Sequence, residues 1–163
     1  MALRKVVTSE DPVLRKTSRK VEKFDQKLFD LLDDMKDTME DAQGVGLAAV
    51  QVGILRQVVV INVGDGLIEL INPEIVETSG EEEDTEGCLS VPNQWGLVKR
   101  PTYAKVKAQN RKGQWFWCKG EGLKARCLCH ELDHLKGVIF TDYVENMLTE
   151  DEFIALKMKE MES

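Results

Sequence analysis

The spacing of the apolar residues changes along this chain, and that change limits the fold more than any other feature. Between 25 and 42 the apolar side chains recur at helical spacing, at Leu28, Leu32, Met35 and Met39. Between 57 and 118 they fall in short β-branched or alternating runs that are typical of strands. A helical pattern returns over 122–135 and again from Thr149. This order indicates the α+β class rather than alternating β/α units.

Six strand segments are predicted from these runs, at 57–63, 67–71, 74–78, 97–98, 104–108 and 114–118. Asn72-Pro73 is expected to interrupt the apolar run 67–71, which 74–78 then resumes. Thr149 and Glu152 form a capping box for the last helix, and a short helix is expected at Asp11-Pro12. We therefore expect short antiparallel β-sheets packed around the central 122–135 helix, with N-terminal and C-terminal helices.

Length and charge restrict the class of protein. The 163 residues suit a single domain over 1–163, and the net charge is −7. Free nucleic acid is not an expected partner, because a polyanion favours clustered cations. Scattered basic groups such as Lys99-Arg100 and the acidic run 81–84 are expected to face solvent. No apolar run reaches the roughly 18 residues that span a bilayer, and no signal peptide is visible. The expected location is cytoplasmic, without membrane contact.

The only two histidines, His130 and His134, lie four residues apart in the sequence His-Glu-Leu-Asp-His. On an α-helix both rings project from nearly the same face, one turn apart, where a single divalent metal ion can bind both. Glu131 then lies beside the first ligand and can reach a metal-bound water as a base. The alternative is a chance match on a solvated helix.

A third protein ligand is needed to complete a catalytic metal site. The candidates are a carboxylate beyond the helix, as in many zinc proteases, or Cys88, which follows a glycine just after a probable strand. The remaining cysteines are Cys118, Cys127 and Cys129. Core packing is the expected role of all three, since free cysteine is among the most buried residue types.

The segment 44–51, Gly-Val-Gly-Leu-Ala-Ala-Val-Gln, lacks the lysine and the third spaced glycine of the nucleotide-binding fingerprints. We interpret it as a loop of small residues whose backbone passes close to a substrate and which ends in a strand. Gln51 would then supply a neutral donor to a developing oxyanion.

Taken in order, the segments 44–51, 86–90 (Glu-Gly-Cys-Leu-Ser) and 130–134 resemble the three signature motifs of the peptide deformylases. The resemblance extends from Asp11 to Tyr143. It implies a metal-dependent hydrolase that removes the N-terminal formyl group from the formyl-methionine of new polypeptides and releases formate.

The resemblance also implies a role for each matching residue. Three residues would bind the metal ion: Cys88, His130 and His134. Glu131 would be the general acid/base, and Gln51 with the backbone N–H of Leu89 would stabilise the oxyanion. Gly46 would contact the substrate backbone. The methionine pocket would be shaped by Val45, Glu86 and Leu123.

The expected cofactor is one divalent metal ion per chain, Fe²⁺ first, with Zn²⁺, Ni²⁺ or Co²⁺ also accepted by such a site. The expected partners are N-formyl-methionyl peptides. Some members of the family dock on the ribosome through a basic C-terminal helix. Here acidic residues offset Lys157 and Lys159, so the sequence gives little support for transient ribosome contact by that route.

Two positions depart from the family pattern. Cys129 stands where glutamine often precedes the first histidine, and Trp95 stands where some members carry arginine. Asp133 is interpreted as a structural residue or as an acceptor for a histidine nitrogen. Two other functions are compatible with the histidine motif. A metallo-endopeptidase would need a further ligand downstream, and a non-catalytic relative would be expected to lack Glu131 or Gln51.

Overall fold

The structure, a computed structural model, describes residues 2–144 and 146–162. Within them, five antiparallel strands form one sheet in the order β1-β2-β3-β6-β7. Their bounds are β1 Gly46–Ala48, β2 Val58–Ile61, β3 Ile68–Ser79, β6 Tyr103–Gln109 and β7 Trp115–Glu121. The second sheet has the order β4-β5-β8, with bounds β4 Glu82–Cys88, β5 Val91–Arg100 and β8 Leu148–Thr149.

Three α-helices accompany these sheets in the described part of the chain: α1 Gln26–Asp41, α2 Leu123–His134 and α3 Glu150–Glu162. Short 3₁₀ helices cover Pro12–Arg15, Ala49–Val52 and Phe140–Tyr143. Antiparallel sheets with three helices agree with the predicted α+β class. No helix among the described residues is long and apolar enough to cross a membrane.

Strand β2 has apolar residues on both faces because helices cover both of them. Val58 and Val60 belong to a core cluster with the inner face of α1, whereas Val59 and Ile61 pack in a second cluster with Leu128 of α2. All four strand residues are buried. The β1–β2–β3 end of the sheet therefore lies between the two helices, which fixes the position of α2 against β1.

The predicted interruption at Asn72-Pro73 is a bulge within one strand rather than a gap between two strands. Strand β3 continues through both residues, and its register against β6 shifts between Ile71 and Glu74. Asn72 takes a positive φ of 52° and donates its side-chain amide to the carbonyl oxygen of Val21 at 2.9 Å. A bulge therefore accommodates the proline, since the irregular ladder there does not need its N–H.

Helices α1 and α3 begin where side chains cap their first backbone N–H groups. Asp25 accepts a hydrogen bond from the N–H of Leu28 at the start of α1. Thr149 and Glu152 exchange hydrogen bonds of 3.2 Å, which confirms the predicted capping box. Helix α3 has no buried residue among those described.

The prediction that Arg100 faces solvent was wrong. Its side chain is only 6% exposed, whereas neighbouring Lys99 faces out. Strand alternation explains the difference, because Arg100 lies two residues after buried Val98 and so shares its face of β5.

The interpretation of 44–51 as a loop ending in a strand was also wrong in its order. The strand β1 comes first, and the 3₁₀ helix 49–52 follows it and carries Gln51. Tight 3₁₀ geometry lets the Gln51 side chain fold back on its own turn, and its Oε1 accepts from the N–H of Ala48 at 2.9 Å.

Candidate active site

Three possible metal-binding side chains from two distant segments converge beside α2. The Sγ of Cys88 and one ring nitrogen each of His130 and His134 all lie within 4.8 Å of one another. The Nε2 of His134 lies 3.4 Å from the Cys88 Sγ. Cys88 is the last residue of β4, and the two histidines occupy adjacent turns of α2. A thiol and two imidazoles within this distance form a donor set suited to a transition metal or zinc.

His130 is oriented by a carboxylate. Its Nδ1 lies 2.7 Å from Oε1 of Glu86, which is 6% exposed, so Nε2 remains for a ligand. A carboxylate partner on the second ring nitrogen is the usual arrangement for histidines that bind metal. Glu86 therefore does more than line a substrate pocket, which was its only predicted role.

Two buried arginines hold Glu86, and no motif predicted either of them. Arg100 donates to both carboxylate oxygens at 2.8 and 2.9 Å, and Arg126 donates to Oε2 at 2.7 Å. Burial opposes ionisation of Glu86, but the hydrogen bonds from His130 and Arg100 outweigh it and lower its pKa to about 2. The ionised carboxylate is thus fixed under the histidine. The one available signal for Arg100 was its strand alternation with Val98.

Asp133 does not accept from either histidine. Its Oδ2 accepts from Arg100 at 2.7 Å and from the hydroxyl of Tyr143 at 3.2 Å. This agrees with the structural role that was one of its two predicted interpretations. The Nδ1 of His134 is buried and has no hydrogen-bond partner within residues 2–144 and 146–162. Burial lowers the pKa of His134 to about 3, so the imidazole is neutral, as a metal ligand must be.

Glu131 lies at the closed end of the site. It is 4% exposed, and its buried Oε1 has no hydrogen-bond partner in the part of the chain that the structure describes. Burial raises its pKa to about 7, a value suited to proton transfer near neutral pH. A Cβ built at Gly46 would lie 2.6 Å from Oε2 of Glu131 and 2.9 Å from Sγ of Cys127. Only glycine therefore allows β1 to pass this close to the carboxylate.

Gln51 presents its amide group to the same site. Because its Oε1 accepts from Ala48, its Nε2 points away and donates to Oγ of Ser90 at 3.2 Å and to Sγ of Cys88 at 3.5 Å. Gln51 is 1% exposed. The side chain is thus fixed before any substrate arrives, as a preorganised oxyanion donor must be.

A cleft of about 680 Å³ opens above these residues. The structure brings nearly all the predicted site residues to its lining: Val45, Gly46, Gln51, Glu86, Cys88, Leu89, Leu123, His130 and Glu131. His134 lies beneath it, fully buried. The buried residues form the closed end, whereas Val45 and Leu123 are 43% and 56% exposed and lie at the rim. The roles assigned to the individual side chains remain predictions.

The other cysteines are buried as predicted. Cys127 also lines the cleft, and burial raises its pKa well above the ordinary value, so it is a protonated thiol. Cys129 is 6% exposed and packs in the core cluster of α2.

The known proteins that are similar to this chain belong to one family. The family model described as polypeptide deformylase matches residues 3–150. A peptide deformylase of Caldicellulosiruptor bescii is 59% identical over 152 residues, which are 93% of this chain and 92% of that protein. The chain belongs to the peptide deformylase family. The predicted resemblance is confirmed, and with it the prediction of an enzyme of this family.

Solved structures agree with the fold. A crystal structure of a peptide deformylase from Legionella pneumophila superposes with a TM-score of 0.86 at 41% identity and covers 99% of both chains. A peptide deformylase from Synechococcus elongatus in complex with actinonin gives a TM-score of 0.84 at 41% identity, over 86% of this chain and 78% of that one.

Proposed function

We propose that this protein removes the formyl group from the N-terminal formyl-methionine of newly made polypeptides and releases formate. The observation that carries the proposal is the convergence of Cys88, His130 and His134 beside Glu131, whose buried Oε1 has no hydrogen-bond partner among the described residues, in a chain of the peptide deformylase family. The central helix α2 supplies three of these four groups.

A single divalent metal ion fits the residues present. The three donors are a thiol and two imidazoles, one of which, His134, is neutral and buried. The Nδ1 of His130 is hydrogen-bonded to Glu86, which leaves its Nε2 free to bind the metal ion. We propose these three residues as the ligands. A bound divalent cation would polarise the formyl oxygen and lower the pKa of the attacking water. The donor set accepts Fe²⁺, Zn²⁺, Ni²⁺ or Co²⁺, and Fe²⁺ is proposed from the family resemblance.

Glu131 moves the protons in this proposal. Its carboxylate takes a proton from the attacking water as oxygen adds to the formyl carbon. The C–N bond then breaks, and Glu131 delivers the proton to the departing amine, which gives formate and a free N-terminus. A pKa of about 7 allows Glu131 both to take up the proton and to release it near neutral pH. Burial of the unpaired Oε1 supports the role, because a solvated carboxylate would lack the raised pKa.

Charge that develops on the formyl oxygen is stabilised by two donors of this chain. One is the Nε2 of Gln51, which is preorganised by the Ala48 contact. The other is the backbone N–H of Leu89, whose residue lines the cleft. Loss of one such donor typically lowers the rate by about 100- to 1,000-fold.

The methionine would occupy the cleft next to the closed end. We propose that Gly46 contacts the substrate backbone and that three lining residues shape the methionine pocket, namely Val45, Glu86 and Leu123. The apolar side chains of Val45 and Leu123 suit contact with a methionine side chain. Glu86 acts mainly through its hydrogen bonds to His130 and Arg126, which hold both side chains in the pocket wall.

The test compares the metal-loaded protein with Glu131→Ala in anaerobic buffer. Formate release from a formyl-Met-Ala-Ser peptide is measured together with metal content. We expect the variant to keep its metal and to lose at least about 100-fold in kcat, because the carboxylate that takes up and returns the proton is removed. An exposed-site control, Glu74→Ala, should match the wild type. Equal activity of Glu131→Ala would refute the mechanism, and peptide fragments without formate would identify an endopeptidase instead.

A further inference from the structure

The 3₁₀ helix 140–143 contacts His130, one of the proposed metal ligands. Its first residue, Phe140, is 1% exposed, and its ring stacks on the His130 imidazole with centroids 6.0 Å apart and planes at 27°. Asp142 accepts two hydrogen bonds from Arg15, at 2.7 and 3.0 Å, which tie the same short helix to the N-terminal part of the chain. This helix is therefore fixed against the imidazole.

Tyr143, the last residue of this helix, is joined to the same imidazole by a chain of hydrogen bonds. Its hydroxyl donates to Oδ2 of Asp133 at 3.2 Å, and Arg100 donates to that oxygen at 2.7 Å. Arg100 also donates to both oxygens of Glu86. The Oε1 of Glu86 in turn lies 2.7 Å from Nδ1 of His130. The chain therefore leads from a surface hydroxyl to the buried ring.

The ring of Tyr143 makes a second contact with this chain. Its centroid lies 5.1 Å from Cζ of Arg100, which is within the range of a cation–π interaction. All three guanidinium nitrogens of Arg100 donate to carboxylates, Nε and Nη2 to Glu86 and Nη1 to Asp133. Tyr143 is 53% exposed whereas Arg100 is 6% exposed, so the phenol ring is part of what separates the guanidinium from solvent.

We propose that Tyr143 is a positioning residue for the proposed ligand His130, and that it acts through the hydrogen-bond chain to Glu86. The proposal rests on the proposed function, because the metal ion belongs to that function. A carboxylate partner orients a ligand histidine, and its loss typically lowers metal affinity by about 10- to 100-fold. Without the phenol, water competes for the hydrogen bonds between Arg100 and Asp133, and the Glu86 carboxylate is held less firmly.

The first test measures the dissociation constant of Zn²⁺ by competition with a chelating dye, without any substrate. Tyr143→Ala should raise this constant about tenfold, the lower end of the range for loss of a direct partner, because Tyr143 acts on that partner indirectly. Tyr143→Phe keeps the ring over Arg100 and loses only the hydroxyl, so its constant should lie between the two. A constant for Tyr143→Ala within about twofold of the wild type would overturn the proposal.

A matched control separates this effect from a general loss of surface packing. Trp117 is 58% exposed on β7, and the Nζ of Lys105 lies 4.3 Å from the centroid of its ring. Trp117→Ala therefore removes a similarly exposed ring that also contacts a cation, at a position that does not line the cleft. Its zinc dissociation constant should equal that of the wild type. A rise as large as that of Tyr143→Ala would overturn the specific role of Tyr143.

A second readout observes the His130 ring directly by NMR of the zinc-loaded protein. The sequence has only two histidines, so few imidazole N–H resonances are expected. Binding through Nε2 leaves the proton on Nδ1, which then donates to Glu86. Tyr143→Ala should shift this resonance and speed its exchange with water, whereas Trp117→Ala should leave it unchanged. An unchanged resonance in Tyr143→Ala would overturn the proposal.

Neither readout needs a substrate, so the proposed function is tested separately on the same samples. Formate release from formyl-Met-Ala-Ser is measured with the zinc-loaded wild type. The expected effects of Tyr143→Ala in a protein that releases no formate would refute the proposed function and leave the role of Tyr143 standing. Formate release together with unchanged zinc binding in Tyr143→Ala would refute only the role of Tyr143.

Discussion

A methyl group added at Gly46 would enter the space that the Glu131 carboxylate occupies. The Cβ of Gly46→Ala would lie 2.6 Å from Oε2, 2.8 Å from Cγ of Glu131 and 2.9 Å from Sγ of Cys127. Gly46 has no positive φ, so alanine fits the strand backbone and the whole effect comes from this contact. The neighbours have little room to give way, because Glu131 and Cys127 are both at most 4% exposed.

The size of the effect follows from these distances. Ordinary contact begins near 3.4 Å, so the carboxylate must retreat by about 0.8 Å from a Cβ at 2.6 Å. A displacement of about 1 Å of a group that acts on the reacting atoms costs on the order of 100-fold in rate. We therefore expect Gly46→Ala to lower kcat by about 100-fold. The metal content should stay normal, because none of the three proposed ligands is displaced.

The assay measures kcat for formyl-Met-Ala-Ser, metal content and urea unfolding of the same samples. Gly120→Ala is the matched control. It adds the same methyl group to a strand glycine, and its Cβ lies equally close to α2, 2.6 Å from Cγ and 2.9 Å from Cβ of Lys124, a residue that does not line the cleft. It should retain wild-type kcat. A kcat for Gly46→Ala within about threefold of the wild type, in a folded protein, would refute the reasoning.

Three further predictions concern the groups around the site. Cys88→Ala should lose the metal by elemental analysis whereas Cys118→Ala should keep it, and full occupancy in Cys88→Ala would indicate another ligand. Arg100→Ala should lower the free energy of unfolding in urea by about 3 kcal/mol, because it breaks a buried ion pair; a loss below about 1 kcal/mol would contradict that. The hydrogen bond from Arg15 lowers the pKa of Asp142, so the pair stabilises the fold above the ordinary aspartate pKa of about 4 and loses its effect as pH falls through the lowered value. The stability difference between the wild type and Asp142→Asn should accordingly shrink in acid, and a constant difference would argue against the pair.

The sequence predicted the helices and the candidate metal ligands on α2 correctly, because these depend on residues that are close together in the chain. The α1 helix follows from the apolar spacing and from Asp25, and the α3 capping box follows from two residues three apart. The histidine pair is local in the same sense, since one helical turn brings both rings to one face. The motif order then identified the family, which the comparisons confirm.

The errors arose where a neighbour distant in sequence decides the outcome. Arg100 was expected in solvent because a lone basic pair is usually solvated, yet Glu86, 14 residues away, makes its burial favourable. Asn72-Pro73 was expected to separate two strand segments, but a bulge against β6 accommodates the proline within one strand. Neither the Glu86 partner of Arg100 nor the pairing of the bulge with β6 can be inferred from the spacing of residues along the chain.

By itself, then, the sequence determined which donors and bases exist, their spacing on α2 and the family to which they belong. Only the tertiary structure decided what holds them. Glu86 reaches His130 from 44 residues away, and Gln51 reaches Ser90 across 39. These contacts depend on how the two sheets pack against α2. The chemistry of a side chain is a local property, whereas its orientation and pKa are set by whatever the fold brings beside it.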